Sequence, residues 1–212
     1  MKTNTSLRTT LLSIALLGLT LGLRAQDATM AAGSASPATY GLIGEEYTGV
    51  SFGYTHHVDG PPRQLRGFGF IANRPVETNL DAAFKYDYTG SSLFGQRNHQ
   101  HRVAASATYY LGKGSATPFL DADAGWIFQK FGGVSDDGFT YLVGAGVEFQ
   151  VLTQLVVTPF VNYQDVPSLD SRAWGYGAKA TYRLAKEWSA SFRVRLDEDH
   201  NVEYRIGVNR HF

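Results

Sequence analysis

Beyond about residue 47 the chain alternates, position by position, between apolar side chains and polar or small ones. Side chains along a β-strand point to opposite faces in turn, so such alternation predicts strands with one greasy and one polar face. In 80–88 (LDAAFKYDY), Leu80, Ala82, Phe84, Tyr86 and Tyr88 share one face, and Asp81, Ala83, Lys85 and Asp87 share the other. The same parity runs through 139–151, where Phe139, Tyr141, Val143, Ala145, Val147, Phe149 and Val151 oppose Thr140, Gly144, Gly146, Glu148 and Gln150. In 174–183 Trp174, Tyr176, Ala178, Ala180 and Tyr182 oppose Gly175, Gly177, Lys179, Thr181 and Arg183. In 188–197 Trp188, Ala190, Phe192, Val194 and Leu196 oppose Ser189, Ser191, Arg193, Arg195 and Asp197.

Ten such segments are predicted, at about 47–57, 64–73, 78–89, 101–111, 118–130, 138–151, 155–164, 172–184, 188–197 and 201–212. The connections Ala72–Thr78, Gly112–Thr117, Leu152–Gln154 and Leu184–Glu187 are short. The stretches 58–63, 90–100, 131–137, 165–171 and 198–200 are longer or more polar. Short turns at one end and longer loops at the other fit an up-and-down transmembrane barrel with its short turns in the periplasm. An even strand number returns both ends of the barrel to that side. Eight strands remain an alternative if 47–57 or 64–73 is not a strand.

A soluble sandwich would turn its apolar face inward, and a membrane barrel turns it outward. The outward reading is favoured by aromatics near strand ends around mid-strand Ala and Val, as in Ala122 and Ala124 between Leu120 and Trp126. Such residues form interfacial girdles around a lipid-facing band. The last segment, VEYRIGVNRHF, places Val202, Tyr204, Ile206, Val208 and Phe212 in one parity. Arg66 and Arg210 share the lipid-facing parity, but both lie near strand ends, where long side chains reach headgroups.

Composition narrows the function classes. The 19 basic and 19 acidic side chains balance, which gives no support to nucleic-acid binding. There is no cysteine, hence no disulfide, thiolate metal site or lipid-modified N-terminal Cys. Lys2 and Arg8 precede an apolar run, Leu11–Leu23, that is too short to span a bilayer as a helix. This reads as a signal peptide, 1–25, cleaved after Ala25. Residues 26–39 lack periodicity and read as a flexible tail before a barrel over 40–212.

A signal peptide, repeated amphipathic hairpins and an alternating last strand ending in Phe resemble small outer-membrane barrels of the OmpA/OmpX and opacity-protein type. The resemblance covers about 40–212 and implies a bacterial outer-membrane location. It also implies that Phe212 belongs to the signal read by the barrel-assembly machinery, and that lipid and lipopolysaccharide are partners. The peptidoglycan-binding domain of some relatives is not expected.

No catalytic, metal or cofactor site is expected. Asp121 and Asp123 share a strand face, and Glu198 and His200 lie at a loop, a pattern akin to omptin proteases. However, the acids fall toward the periplasmic end and His200 toward the other, beyond hydrogen-bond reach. His56, His57, His99, His101 and His200 map to the extracellular end and read as polar rim residues. No spacing matches a zinc motif, and no Ser–His–acid set suited to a lipid A deacylase emerges.

The inward parity collects an interior charge network. Its acids are Asp81, Asp87, Asp121, Asp123, Glu148 and Glu203, and its bases are Lys85, Arg102, Lys179, Arg183, Arg193, Arg195 and Arg205. A selective pore more often carries one dominant sign, so near-balance predicts a lumen plugged by its own charges. Gly69, Gly125, Gly144, Gly146, Gly177 and Gly207 are expected to leave room for long bases, with Arg195 set close to Glu203. The expected function is therefore non-enzymatic: envelope structure or surface interaction through extracellular loops, whose ligand the sequence does not name. The alternatives are a narrow porin-like channel for small polar solutes and, more weakly, an omptin-like or lipid-modifying enzyme.

Overall fold

The computed structural model describes residues 41–57, 64–91 and 98–212. The expected signal peptide and tail lie outside the described residues, as do 58–63 and the middle of the 90–100 loop. Ten strands form: β1 Tyr47–His56, β2 Gln64–Glu77, β3 Leu80–Gly90, β4 His99–Tyr110, β5 Ala116–Phe131, β6 Val134–Leu152, β7 Leu155–Val166, β8 Ser171–Ala185, β9 Trp188–Asp197 and β10 Val202–His211. Each pairs antiparallel with its sequence neighbours. The first strand also pairs with the last, from Tyr47↔His211 to His56↔Val202, which closes the barrel. Closure leaves no sheet edge, the condition under which strands can cross a hydrocarbon layer with every backbone group paired.

The expected parity is the observed one. Outward positions are apolar and solvent-exposed: Phe52 at 59%, Leu120 at 58% and Ile206 at 58%, with Val50, Phe84, Val143, Phe192 and Val208 alongside. Inward positions are polar and covered, with Asp81 at 2% and Asp123 at 4%. A water-soluble protein does not surround itself with large apolar side chains while burying its carboxylates. This wall is built for lipid.

Toward the loop end the wall carries linked aromatic rings. Phe68 stacks on Tyr88 at 5.2 Å, Tyr163 meets Trp174 at 5.1 Å, and Tyr141 meets Tyr163 at 6.4 Å. The Tyr141 and Tyr163 hydroxyls both donate to Asp165, at 2.9 and 3.3 Å. An apolar ring with a wet, hydrogen-bonded tip suits a membrane interface.

Three expected boundaries are corrected. The second strand runs to Glu77 rather than 73, with a register shift between Pro75 and Glu77, so the turn into β3 shrinks to 78–79. The stretch 131–137 is not a loop. The fifth and sixth strands continue through it and reverse over Gly132 and Gly133, whose φ values of 60° and 92° suit a tight hairpin turn. In 165–171, Asp165 and Val166 extend β7, and a single 3-10 turn at Pro167–Leu169 leads into β8.

Candidate functional site

The lumen holds an open cavity of about 510 Å³, lined by nearly all the inward charges expected from the sequence. Arg183 is the exception. It is buried near the turn end, with its Nη2 3.6 Å from the Glu45 carboxylate.

Seven of the charges join into one chain of alternating sign. Lys85 contacts Asp123 at 2.9 Å, and Arg102 reaches Asp123 at 2.7 Å and Asp87 at 3.7 Å. Asp87 also accepts from Arg205. Glu203 accepts from Arg205 at 3.0 Å and from Arg193 at 2.7 Å. The chain ties β3, β4 and β5 to β9 and β10 across the closure of the barrel. Charge-assisted bonds of this kind are short and reinforce one another where screening is weak. They hold geometry more than they add net stability, because each ion has also lost water.

Two details differ from expectation. Arg195 and Glu203 are register partners, but Glu203 is taken by Arg193 and Arg205. The inward glycines also serve different ends. At Gly69 an added Cβ would meet Asp87, Arg205 and Ser51, so this glycine does make room for the chain. At Gly146 it would strike the Phe119 ring and the Pro159 carbonyl, and at Gly125 the Ala104 backbone, so there the need is close wall packing.

The turn end is occupied by a segment to which the sequence reading gave no role. Residues 41–46 enter the barrel mouth ahead of β1, with Leu42 only 7% exposed. The Leu42 and Ile43 amides donate to the Glu148 carboxylate at 3.3 and 3.5 Å, and the Gly44 amide donates to Asp81 at 2.7 Å. Gly44 adopts φ 71°, which turns the strap back toward the wall. Asn73 donates to the Glu45 carbonyl at 2.8 Å, and Lys113 to the Gly44 carbonyl at 3.1 Å. Two acids of the expected network thus bind backbone amides rather than lumen bases. An unusual run of main-chain donors meeting two inward carboxylates leaves no signature in local sequence, because the partners are 37 and about a hundred residues away.

Beside the strap, Ser189 Oγ lies 2.9 Å from His211 Nε2, and His211 Nδ1 lies 3.9 Å from Glu45. The residue types are those of a nucleophile, base and acid, and sequence reading did not find them. Two observations argue against that chemistry. Ser189 is 0% exposed, and its oxygen accepts a bond from Asn209 at 3.1 Å, so no substrate carbonyl can approach it. The His–Glu distance also exceeds a hydrogen bond. The cluster fastens β9, β10 and the strap together.

The histidines at the loop end do not converge. His99 and His101 meet edge to face at 5.4 Å on the outer wall, packed with Tyr88, and His101 Nδ1 bonds the Tyr86 hydroxyl at 2.8 Å. Among the described residues no group of three or more His, Asp or Glu is placed to hold a metal ion. Asp121 and Asp123 both line the lumen, whereas Glu198 and His200 follow β9 in the turn at the loop end.

A closed wall with lipid-facing side chains outside and charge inside decides the architecture. The chain is built as a small transmembrane β-barrel. No family model and no curated protein matches it. Similar solved structures include the KdgM porin in complex with disordered oligogalacturonate, at 12% identity and TM-score 0.47, covering 77% of this chain and 99% of that one. Neisserial surface protein A is 15% identical with TM-score 0.41, covering 78% and 96%. A barrel from a study of de novo designed transmembrane β-barrels is 13% identical with TM-score 0.45, covering 82% and 100%. At such low identity and superposition these resemblances assign the barrel no role.

Proposed function

We propose that this protein is a non-enzymatic bacterial outer-membrane barrel that is closed to solute flow and acts through its loop end, as an envelope-structural or surface-interaction protein. In this reading residues 1–25 direct export and are cleaved after Ala25, the short turns face the periplasm and the loops face outward. The observation that carries the proposal is the double narrowing of the lumen. The strap enters the turn-end mouth on Asp81 and Glu148, and the chain from Lys85 to Arg193 holds long side chains on one another in the lumen beyond it. A diffusive pore needs solvated, movable wall groups, whereas these are held on one another. The buried Ser189 supports the non-enzymatic part.

The second reading, a narrow channel for small polar solutes, draws on the roughly 510 Å³ of space that remains. Single-channel recording on the refolded protein in planar bilayers separates the two. Small or absent conductance is expected, rising when Arg193 and Arg195 are both replaced by Ala. A steady porin-sized conductance in the unmutated protein would overturn the closed reading and promote the channel.

A further inference from the structure

We propose that the lipid-facing wall at the turn end, where β10 meets β1, is a headgroup site for a zwitterionic aminophospholipid, with Arg210 and Trp188 holding its phosphate and Glu46 its ammonium. The site needs only that the apolar wall faces lipid, and it stands whether or not the lumen conducts. Arg210 is exposed in the lipid-facing parity, and its guanidinium carbon lies 5.4 Å from the centre of the Phe212 ring. The ring steadies the cation but supplies no oxygen to its N–H groups. Among the described residues, Arg210 has no hydrogen bond and no ion pair.

Two more donors stand in the same row. Trp188 on β9 and Thr48 on β1 are the register partners of Arg210 on either side. Directly opposed side chains on one face of a sheet lie about 5 Å apart at Cβ. Trp188 is 44% exposed, and among the described residues neither its indole N–H nor the Thr48 hydroxyl meets a partner. Unpaired donors at the rim of a hydrocarbon layer find acceptors in the headgroup zone, where phosphate and ester oxygens lie. The arginine fork takes one phosphate at two points, and the neighbouring indole N–H adds a third.

An acid completes the pattern. Glu45 and Tyr47 point inward, Glu45 toward Arg183 and His211, and Tyr47 with 7% exposure. Glu46 between them is exposed on the outer side, and its carbonyl accepts from the Phe212 amide at 3.1 Å. It therefore lies one step beyond Thr48 toward the turn-end rim, a diagonal neighbour of Arg210 with Cα atoms roughly 7–8 Å apart. Among the described residues the Glu46 carboxylate has no ion pair, with Arg210 or with any other base. Two unpaired opposite charges so placed match a headgroup whose phosphate and ammonium are joined by a short ethanolamine link. The primary ammonium brings N–H donors to the carboxylate, which a trimethylated choline lacks. One neighbour opposes this reading. Arg74 follows Asn73, the partner of Tyr47, and so flanks Glu46 on the β2 side, but it stands beyond ion-pair distance of that carboxylate. Lys186 and Glu187, in the turn before Trp188, offset each other.

The test uses the full chain with W126F and W174F, which leaves Trp188 as its sole indole, folded into phosphatidylcholine vesicles. Phosphatidylethanolamine, phosphatidylglycerol or phosphatidylcholine, each spin-labelled high on an acyl chain, is added in increasing mole fraction, and quenching of Trp188 fluorescence is followed. The ethanolamine lipid is expected to reach half-maximal quenching at a mole fraction roughly threefold lower than the choline lipid, the size of one exposed ion pair. That advantage is expected to vanish in E46Q and in R210Q and to persist in R66Q, whose side chain lies at the other end of the wall. Heat-modifiable migration on gels reports whether each variant folds. If the background carrying both Phe substitutions does not fold, ³¹P analysis of the lipid kept by the unmutated chain, after transfer to detergent from an equal ethanolamine and choline mixture, reads the same preference. Equal quenching by all three lipids, or an advantage retained in folded E46Q or R210Q, would overturn the proposal. A preference for the glycerol lipid would overturn it too, since Arg74 and Arg210 would then be reading an anion.

Discussion

The strap gives the sharpest quantitative test, because one of its contacts is a short charge-assisted bond that a single substitution removes. The Gly44 amide donates to the Asp81 carboxylate at 2.7 Å. Asp81→Ala deletes that acceptor and leaves the amide facing a small void at the turn end. A hydrogen bond to a charged group contributes about 1.5–3 kcal/mol. If the strap opens locally while the barrel stays closed, as a short segment outside the sheet should, amide exchange at Gly44 reads that loss directly. The expected acceleration is roughly 10–150-fold, at about 1.4 kcal/mol for each factor of ten. Leu42 and Ile43, bonded to Glu148 at 3.3 and 3.5 Å, should accelerate less, since their own acceptor is intact. Glu148→Ala should reverse the order, with Leu42 affected most. Hydrogen–deuterium exchange with fragment-level readout across 41–46, on protein in micelles, makes the measurement. Strand amides such as those of β10 serve as the control and should not change. If Gly44 exchanges equally fast with and without Asp81, the strap is not held by its carboxylates, and the proposed obstruction of the turn-end mouth fails with it.

Two further outcomes test the wall and its assembly. Ala145→Arg and Gly146→Arg differ by one position but face opposite media; the first should cost roughly 2–4 kcal/mol near the bilayer midplane, whereas the second should clash with the Phe119 ring at 2.6 Å. Spin labels at the same two sites should show 145 more exposed to a lipid-soluble quencher than 146, and the opposite order would invert the barrel. Deleting Phe212, which is 70% exposed at the turn end beneath Arg210, should lower the amount of heat-modifiable barrel recovered from the outer membrane. Normal recovery would remove its assembly role.

What the sequence made legible was whatever repeats with period two. Alternation marked ten segments, with eight strands left open, and sorted each segment into two faces; the aromatics near strand ends then turned the apolar face toward lipid. The ends of strands were less legible, for identifiable reasons. The second strand was expected to end at 73, yet pairing runs on to Glu77, and Pro75 sits beside a register shift near the turn, where its missing N–H does little harm. The stretch 131–137 was read as a longer or more polar connection, yet Gly132 and Gly133 turn the hairpin within it and Asp136 and Asp137 pair in β6. The site itself divides along the same line. Which charges face inward could be read from parity, but which of them meet could not. Register brings Arg195 opposite Glu203, and a choice among three arginines then assigns that acid to Arg193 and Arg205.

That last assignment is where structure begins to limit function. A lumen with balanced charge would be inert only if every ion had a partner, and partner choice is not set by balance. Glu148 faces the same cavity as Lys179, and together they would neutralise each other. The strap's amides hold Glu148, which acts on Lys179 through space without coming within ion-pair distance of it. Arg195 is likewise left over once Glu203 has bound its two neighbours. Holding the strap at the turn end and leaving Lys179 and Arg195 outside the ion chain are two consequences of one distribution of carboxylates. Strap release in the Asp81→Ala variant leaves the Glu148 contacts in place, whereas Glu148→Ala removes those contacts and the carboxylate that faces Lys179 together.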